Sequence, residues 1–545
     1  MMAGIYQGPA PPLSAPKGNC IDYVFAEASQ WADKPALVCG YKNTVITYAE
    51  LQQQIGRWNS WLTQHCEGIA SCQAVVAILS RPSVECVVVA LGTMAAGATF
   101  ISLFSTFNPS ELARQMDVSG TSLVAVSEKS EPKLREAFQV MGKTLPVVII
   151  GSSDKPVVGR FQDIVEDQSI PSKQAVKLTG EEIAIMAYTS GSTGLPKCVT
   201  HSHNSVSLNT AVETHPLYCD TNTSTGGEQS RVLMGRDPNT PYPFFCAVIP
   251  CLKMGNCLVV KEVKETLLLE EMVRHKINHL YVVPPTFQTL LKIPNERPEI
   301  LLHLTKLHVA GAPLHDSVAQ AVLETMPTVK LQRGYGMSEI LTAALDPIGG
   351  GKHGYTGQLV PNAQAKVLDM KTGELLPPLK NGFLHIKIPC TMVGYLNNPE
   401  ATAEILAPDG WLNTGDIGHV DEDGYVFIGG RAKETIKIKN AVAVSPTELE
   451  NGILEHPGVR EVSVVGVLQP LVGLDSIYAF IVKRKLSEGA SVEATEENIK
   501  ELVKQKFSEG KYLTGVVFLQ TMPRNSSGKV DRVKLKEQGR VLEQH

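Results

Sequence analysis

No two cysteines in this chain stand in a C-x-x-C spacing, and the eleven present are scattered and odd in number. A disulfide framework and a zinc cage are both excluded as organising devices, and a reducing compartment is expected. Charge bias is also missing: 50 Lys+Arg face 55 Asp+Glu, a net of −5. Such a surface lacks the electrostatic footprint of a nucleic-acid or anionic-membrane binder, so the expected partners are small molecules. The first twenty residues have neither the apolar core of a signal peptide nor the arginines of a transit peptide, and VLEQH at the other end is no peroxisomal address. A cytoplasmic location is expected. Only one long uncharged run occurs, the nineteen residues Cys86 to Phe104. Gly92 and Gly97 interrupt it, and its texture changes from VALGTMAAG to ATFISLF. It therefore predicts a buried helix followed by a buried strand, with no transmembrane segment.

What is present is core-forming sequence. At 545 residues with 43% hydrophobics, the chain is too long for one ordinary domain and predicts two or three packed units. Short apolar runs alternate with longer mixed segments through the first 360 residues: AVVAIL (74–79), SLVAV (122–126), PVVII (146–150), EIAIMAY (182–188), NCLVV (256–260), HLYVV (279–283) and KLHVA (306–310). That rhythm predicts α/β layering with buried strands. From about Gly357 a β-rich unit is expected, and the polar stretch Cys219 to Asn239 reads as a surface loop. Residues 431–545 carry 18 Lys+Arg against 15 Asp+Glu, a net of +3, which leaves −8 for residues 1–430. Their short strands and the helix EENIKELVKQKF predict a compact α/β domain. The expected architecture is a large α/β domain of several subdomains over 1–430, followed by a small mobile α/β domain over 431–545.

The strongest local signal is Tyr188-Thr-Ser-Gly-Ser-Thr-Gly-Leu-Pro-Lys197, where a buried strand enters six consecutive Gly, Ser or Thr residues. Such a loop offers backbone N–H groups and hydroxyls to phosphate oxygens, and Lys197 adds a point charge. It is not a Walker A loop, because Pro196 and Cys198 stand where that motif needs Gly and Ser/Thr. Polar clusters follow further strand-like runs: Gly334-Tyr-Gly-Met-Ser-Glu339, Trp411-Leu-Asn-Thr-Gly-Asp416, Gly430-Arg431 and Pro523-Arg-Asn-Ser-Ser-Gly-Lys529. Taken singly, each also reads as a turn, a hairpin, a salt bridge or a basic tail.

In this order the clusters resemble the adenylate-forming superfamily of acyl-CoA synthetases, peptide-synthetase adenylation domains and luciferases. The 4-coumarate CoA ligase, luciferase and fatty acyl-CoA synthetase branch is the nearest in pattern. The resemblance implies an acid:CoA ligase that converts a medium-chain fatty or aryl-type carboxylate to acyl-AMP and then acyl-CoA, using ATP, Mg²⁺ and coenzyme A. It further implies that Thr189, Ser190, Gly191, Ser192, Thr193, Gly194 and Lys197 hold the β and γ phosphates. Gly311, Ala312 and Pro313 would line the adenine, with Tyr335 stacked on it. Ser338 would meet the α-phosphate and Glu339 the Mg²⁺; Asp416 and Arg431 would bind the ribose. Lys529 is the implied catalytic lysine of adenylation, Lys433 the hinge, and Lys437 a second lysine presented after domain rotation. Fatty-acid metabolism is one expected setting.

Several positions depart from the family pattern. Cys198 and Asn440 stand where Gly is usual, Gly430 where Asp is usual, and Pro238 to Phe244 contains no histidine. His201 and His203 form an H-x-H that could offer both imidazoles on one strand face, although no further metal ligand is nearby in sequence. The runs VVPPTFQTLL (282–291) and ILTAAL (340–345) read either as tunnel lining or as plain core. Two other readings stay open: an adenylating enzyme with a different second step, such as luciferase-like oxidation or transfer to another thiol, and a nucleotide-binding pseudoenzyme.

Overall fold

The apolar runs become the strands of two large sheets that share one core. The computed structural model describes residues 4–66, 68–69, 72–104, 107–189, 197–219, 229–234, 244–312, 314, 316–434, 436–437, 443–469, 474–484, 492–507, 511–525 and 528–543. In the first sheet, of eight strands, the order is Gly394–Tyr395, Cys198–Ser202, Ile183–Tyr188, Thr99–Ser102, Val75–Leu79, Leu123–Ser127, Val147–Ile150 and Gly159–Arg160. Its pairings are parallel from Ile183–Tyr188 outward to Gly159–Arg160, and antiparallel where Cys198–Ser202 joins Ile183–Tyr188 and Gly394–Tyr395. The second sheet has nine strands, ordered Gln358–Leu359, Leu341–Leu345, Lys330–Met337, Lys306–Val309, His279–Val282, Arg231–Met234, Cys257–Val260, Pro35–Cys39 and Val45–Thr47.

The uncharged run becomes the helix Val84–Ala95, packed between the sheets, and then Thr99–Ser102, an interior strand of the first sheet. Ser83 caps the helix by accepting the Cys86 N–H, and Gly97 at φ +77° ends it. Gly92 is required by packing. A Cβ there would lie 2.6 Å from Cδ1 of Trp58, whose Nε1 donates to Thr93 Oγ1 at 3.2 Å. The helix is thus a core element wedged against Tyr48–His65, and among the described residues no helix is long and apolar enough to cross a membrane.

The β-rich unit is a five-stranded antiparallel sheet ordered Ile5–Gln7, Gln364–Leu368, Gly382–Lys387, Leu412–Val420 and Val426–Arg431. A smaller C-terminal domain follows, with strands Val459–Gln469, Leu474–Lys483 and Gly515–Leu519 and helices Pro446–Leu454, Glu496–Lys506 and Arg532–Glu543. Thr495 and Asn498 cap the middle helix reciprocally, and its Ile499 and Val503 enter the small core.

Two expectations need correction. The stretch 219–239 is not loop throughout: Arg231–Met234 is an interior strand, parallel to both neighbours. Four residues sufficed, because a strand paired on both edges needs only a short apolar run such as VLM. His201 and His203 do not share a strand face. The strand stops at Ser202, which caps a helix by accepting the Ser205 N–H, and His203 is that helix's first residue. Each ring has its own backbone partner: His201 Nε2 donates to the Ser338 carbonyl at 2.7 Å, whereas His203 Nδ1 accepts the Cys20 N–H at 3.2 Å. Burial depresses both to about 4, so both are neutral. No cluster of metal-ligating side chains occurs among the described residues.

Candidate active site

A cleft of about 2180 Å³ opens between the large domain and the C-terminal domain. Of the residues singled out from sequence, Thr189, Lys197, Gly311, Ala312, Tyr335, Ser338, Glu339, Asp416, Arg431, Lys433 and Lys529 all line it. Ser190, Gly191, Ser192, Thr193, Gly194 and Pro313 lie outside the described residues, as do Asn440 and Pro238 to Pro243. Lys437 is placed by its backbone, which pairs with Ala443 in a two-stranded ribbon.

The loop after Ile183–Tyr188 is closed at its base by Thr189, whose N–H and hydroxyl both donate to the Lys197 carbonyl, at 2.8 and 3.3 Å. Lys197 then points its ammonium over the ring of Tyr395, 4.8 Å from the centroid, and pairs with Glu404 at 3.9 Å. Glu339 is 7% exposed, and its Oε1 accepts the Tyr395 hydroxyl at 2.7 Å. Its backbone carbonyl accepts the Met392 N–H, so the residue is held at both main chain and side chain.

Across the cleft, the long strand Leu412–Val420 delivers Asp416, which is 3% exposed. Oδ1 meets Arg431 Nε at 2.8 Å and Oδ2 accepts the Tyr335 hydroxyl at 2.6 Å. Arg431 is held in turn by donating to the Thr414 carbonyl at 2.9 Å. Burial raises the Asp416 carboxyl, and the Arg431 guanidinium opposes that shift. From the C-terminal domain, Lys529 sits on a turn in which its N–H donates to Asn525 Oδ1 and the Asn525 N–H donates back to its carbonyl. Its charge is felt at Asp416.

A third wall is apolar with one polar device that sequence reasoning did not find. Phe245, Cys246, Leu341 and Thr342 line it, and the Thr342 hydroxyl donates to Glu213 Oε1 at 2.5 Å. Burial pushes the Glu213 carboxyl up to about 7. Val283, Pro284, Phe287 and Leu291 also face the cleft, whereas Ile340 and Ala343 to Leu345 belong to the core. Both apolar runs thus divide between lining and packing. Tyr395 and Glu213 are the residues missed, and His201, which the sequence offers only as a candidate metal ligand, holds the Ser338 carbonyl. Each acts through a partner far away in sequence, and no local pattern marks that.

The AMP-binding enzyme family matches residues 24–396, and the AMP-binding enzyme C-terminal domain matches residues 448–529. This chain belongs to that family. It is 30% identical over 537 residues to 4-coumarate–CoA ligase 1 of Arabidopsis thaliana, covering 94% of this chain and 91% of that one. It is 31% identical over 510 residues to 4-coumarate–CoA ligase-like 4 of Oryza sativa subsp. japonica, covering 92% and 89%. Its fold matches ATP-bound MatB from Rhodopseudomonas palustris with a TM-score of 0.82 at 25% identity, over 95% of this chain and 98% of that one. The chain is accordingly an adenylate-forming enzyme, an AMP-forming acid–CoA ligase with ATP and CoA as co-substrates.

Proposed function

We propose that the acid activated by this ligase is of the aryl type. The observation that carries this choice is the third wall: Thr342, backed by buried Glu213 and neighboured by Phe245 and Cys246. With its proton given to Glu213, the Thr342 hydroxyl keeps acceptor capacity in the wall, which favours a ring bearing a polar donor over a continuing alkyl chain. The 4-coumarate ligases among its relatives support the same choice. Pyrophosphate exchange against a panel of aryl acids and six- to twelve-carbon alkanoates tests it. Faster exchange with the alkanoates would reject the aryl reading and restore the medium-chain one.

The roles assigned to the site residues belong to the same proposal. Carboxylate and ATP give acyl-AMP and pyrophosphate; the CoA thiol then gives acyl-CoA and AMP. Lys197 and the loop from Thr189 hold the outer phosphates, Ser338 meets the α-phosphate, and Tyr335 with Gly311 and Ala312 receives the adenine. The ribose hydroxyls bind Asp416, with Arg431 beside it. Lys529 offsets the negative charge that builds as one anion attacks another's phosphorus. Glu339, one carboxylate with no cluster of further metal-ligating side chains among the described residues, suits a Mg²⁺ carried in by the triphosphate better than a resident metal. When bound, that ion screens the phosphates and favours the leaving pyrophosphate.

The division at 430/431, with Lys433 as hinge and Lys437 presented after rotation, is supported by the position of Lys433 in the short turn Ala432–Glu434 between the last large-domain strand and the C-terminal domain. A cytoplasmic site of action completes the reading.

A further inference from the structure

Tyr395 occupies a two-residue strand whose backbone is fixed on both sides. It pairs with Val199, two positions after Lys197; the Tyr395 N–H donates to Thr402 Oγ1 at 2.9 Å, and Thr200 Oγ1 donates to the Gly394 carbonyl at 2.8 Å. From this anchorage one side chain engages two opposite charges. Its hydroxyl donates to Glu339 Oε1 at 2.7 Å, while its ring face carries the Lys197 ammonium 4.8 Å from the centroid. A phenol that donates to a carboxylate gains electron density in its ring, and that strengthens the attraction for a cation on its face. The two charges therefore share one ring without meeting, and Lys197 makes its ion pair with Glu404 instead.

We propose that Tyr395 is a positioning residue that keeps Lys197 and Glu339 apart and aimed into the cleft, so that a triphosphate and its divalent cation can enter between them. Without such a spacer, an ammonium and a carboxylate on adjoining walls would close on each other, and ATP would have to break that pair. The inference rests on the nucleotide-site reading above. It adds a residue through which the cation-binding and phosphate-binding groups depend on each other.

The test is binding of ATP alone, measured by calorimetry with no acid and no CoA, in EDTA and across a magnesium series, on the parent, Tyr395→Phe and Tyr395→Leu. Phe keeps the spacer and the cation's seat but loses the hold on Glu339. The magnesium needed for half-maximal ATP binding should rise about tenfold, the scale of one hydrogen bond to a charged group, with binding in EDTA within about twofold of the parent. Leu loses the ring face as well, and should weaken binding in EDTA by about fivefold or more. A Phe variant with the parent's magnesium dependence would overturn the proposal. So would equal weakening with and without magnesium in both variants, or a Phe variant that melts far below the parent, since either is what a purely structural tyrosine produces. A parent that binds no ATP in any condition would instead sink the nucleotide-site reading itself.

Discussion

Two ionic networks flank the cleft, and they are built for opposite purposes. Residues of both line the cavity, and on the large-domain side Arg431 and Tyr335 gather around one buried carboxylate, that of Asp416. On the C-terminal side, Arg532 closes on its own domain: Nε meets Glu434 at 3.2 Å, Nη2 meets Glu450 at 2.8 Å, and Nη1 donates to the Val464 carbonyl at 2.6 Å. Arg524, at the start of the Lys529 loop, likewise meets Glu461 at 2.6 Å. In the proposed reading, the first network is a fixed receptor for the nucleotide. The second ties the lysine loop, the turn Ala432–Glu434 and the helix Pro446–Leu454 together within the C-terminal side. On the reading proposed above, in which this domain carries Lys529 in and out, internal rigidity serves better than strong bonds to the other side.

The largest effect should come from removing Lys529, the group that the C-terminal domain is proposed to deliver. Lys529→Ala is expected to slow acyl-AMP formation by roughly 10²- to 10³-fold, the scale of losing one preorganised donor. Thioester formation from supplied acyl-AMP should be nearly spared. Equal losses in both half-reactions would erase the contrast between receptor and carrier. Next comes the hinge. Lys433→Pro fixes φ and removes an N–H at the turn, and should cut acyl-CoA output by about tenfold or more while acyl-AMP still accumulates. Parent rates in both steps would place the pivot elsewhere. On the receptor side, Asp416→Asn keeps an acceptor for one partner and turns an amide N–H₂ toward the other. ATP KM should rise about tenfold with kcat changed little, the pattern of lost uniform binding. A fall in kcat alone would show that the fixed network also serves the transition state.

The same contrast explains what could be read from the sequence. Parallel strands buried on both faces write themselves as unbroken apolar runs, so AVVAIL and HLYVV could be placed without their neighbours. Thr189 and Lys197, which line the cleft, stand out because they bracket a glycine- and hydroxyl-rich stretch, a composition that restricts residue type locally. Arg231–Met234 was hidden between polar segments, and Ile5–Gln7 becomes a strand only because Gln364–Leu368, some 360 residues on, offers it an edge. Tyr395 and Glu213 are hidden for the same physical reason. Their chemistry consists of a partner on another element, and Glu213 at the end of the helix His203–Glu213 reads in sequence as an ordinary exposed charge.

Glu213 supplies the smallest effect and the sharpest sign. Its carboxyl titrates near 4.5 when the chain is unfolded and at about 7 when folded, because burial outweighs the help of the Thr342 hydroxyl. Between those values the folded chain holds a proton that the unfolded chain has released, so stability falls as pH rises through this window and levels off above it. Below the unfolded value both states are protonated, and the penalty vanishes. Glu213→Gln removes the titration and keeps an oxygen that can accept from Thr342. Relative to the parent, the variant should gain about 2 °C in Tm at pH 8 and nothing at pH 4, with the gain growing between. Taking the difference between the two proteins at each pH cancels every other titrating group that they share. A constant difference across pH would mean that Glu213 stays ionised inside the fold, and that the wall beside Thr342 carries a full negative charge toward the acid instead of a neutral acceptor.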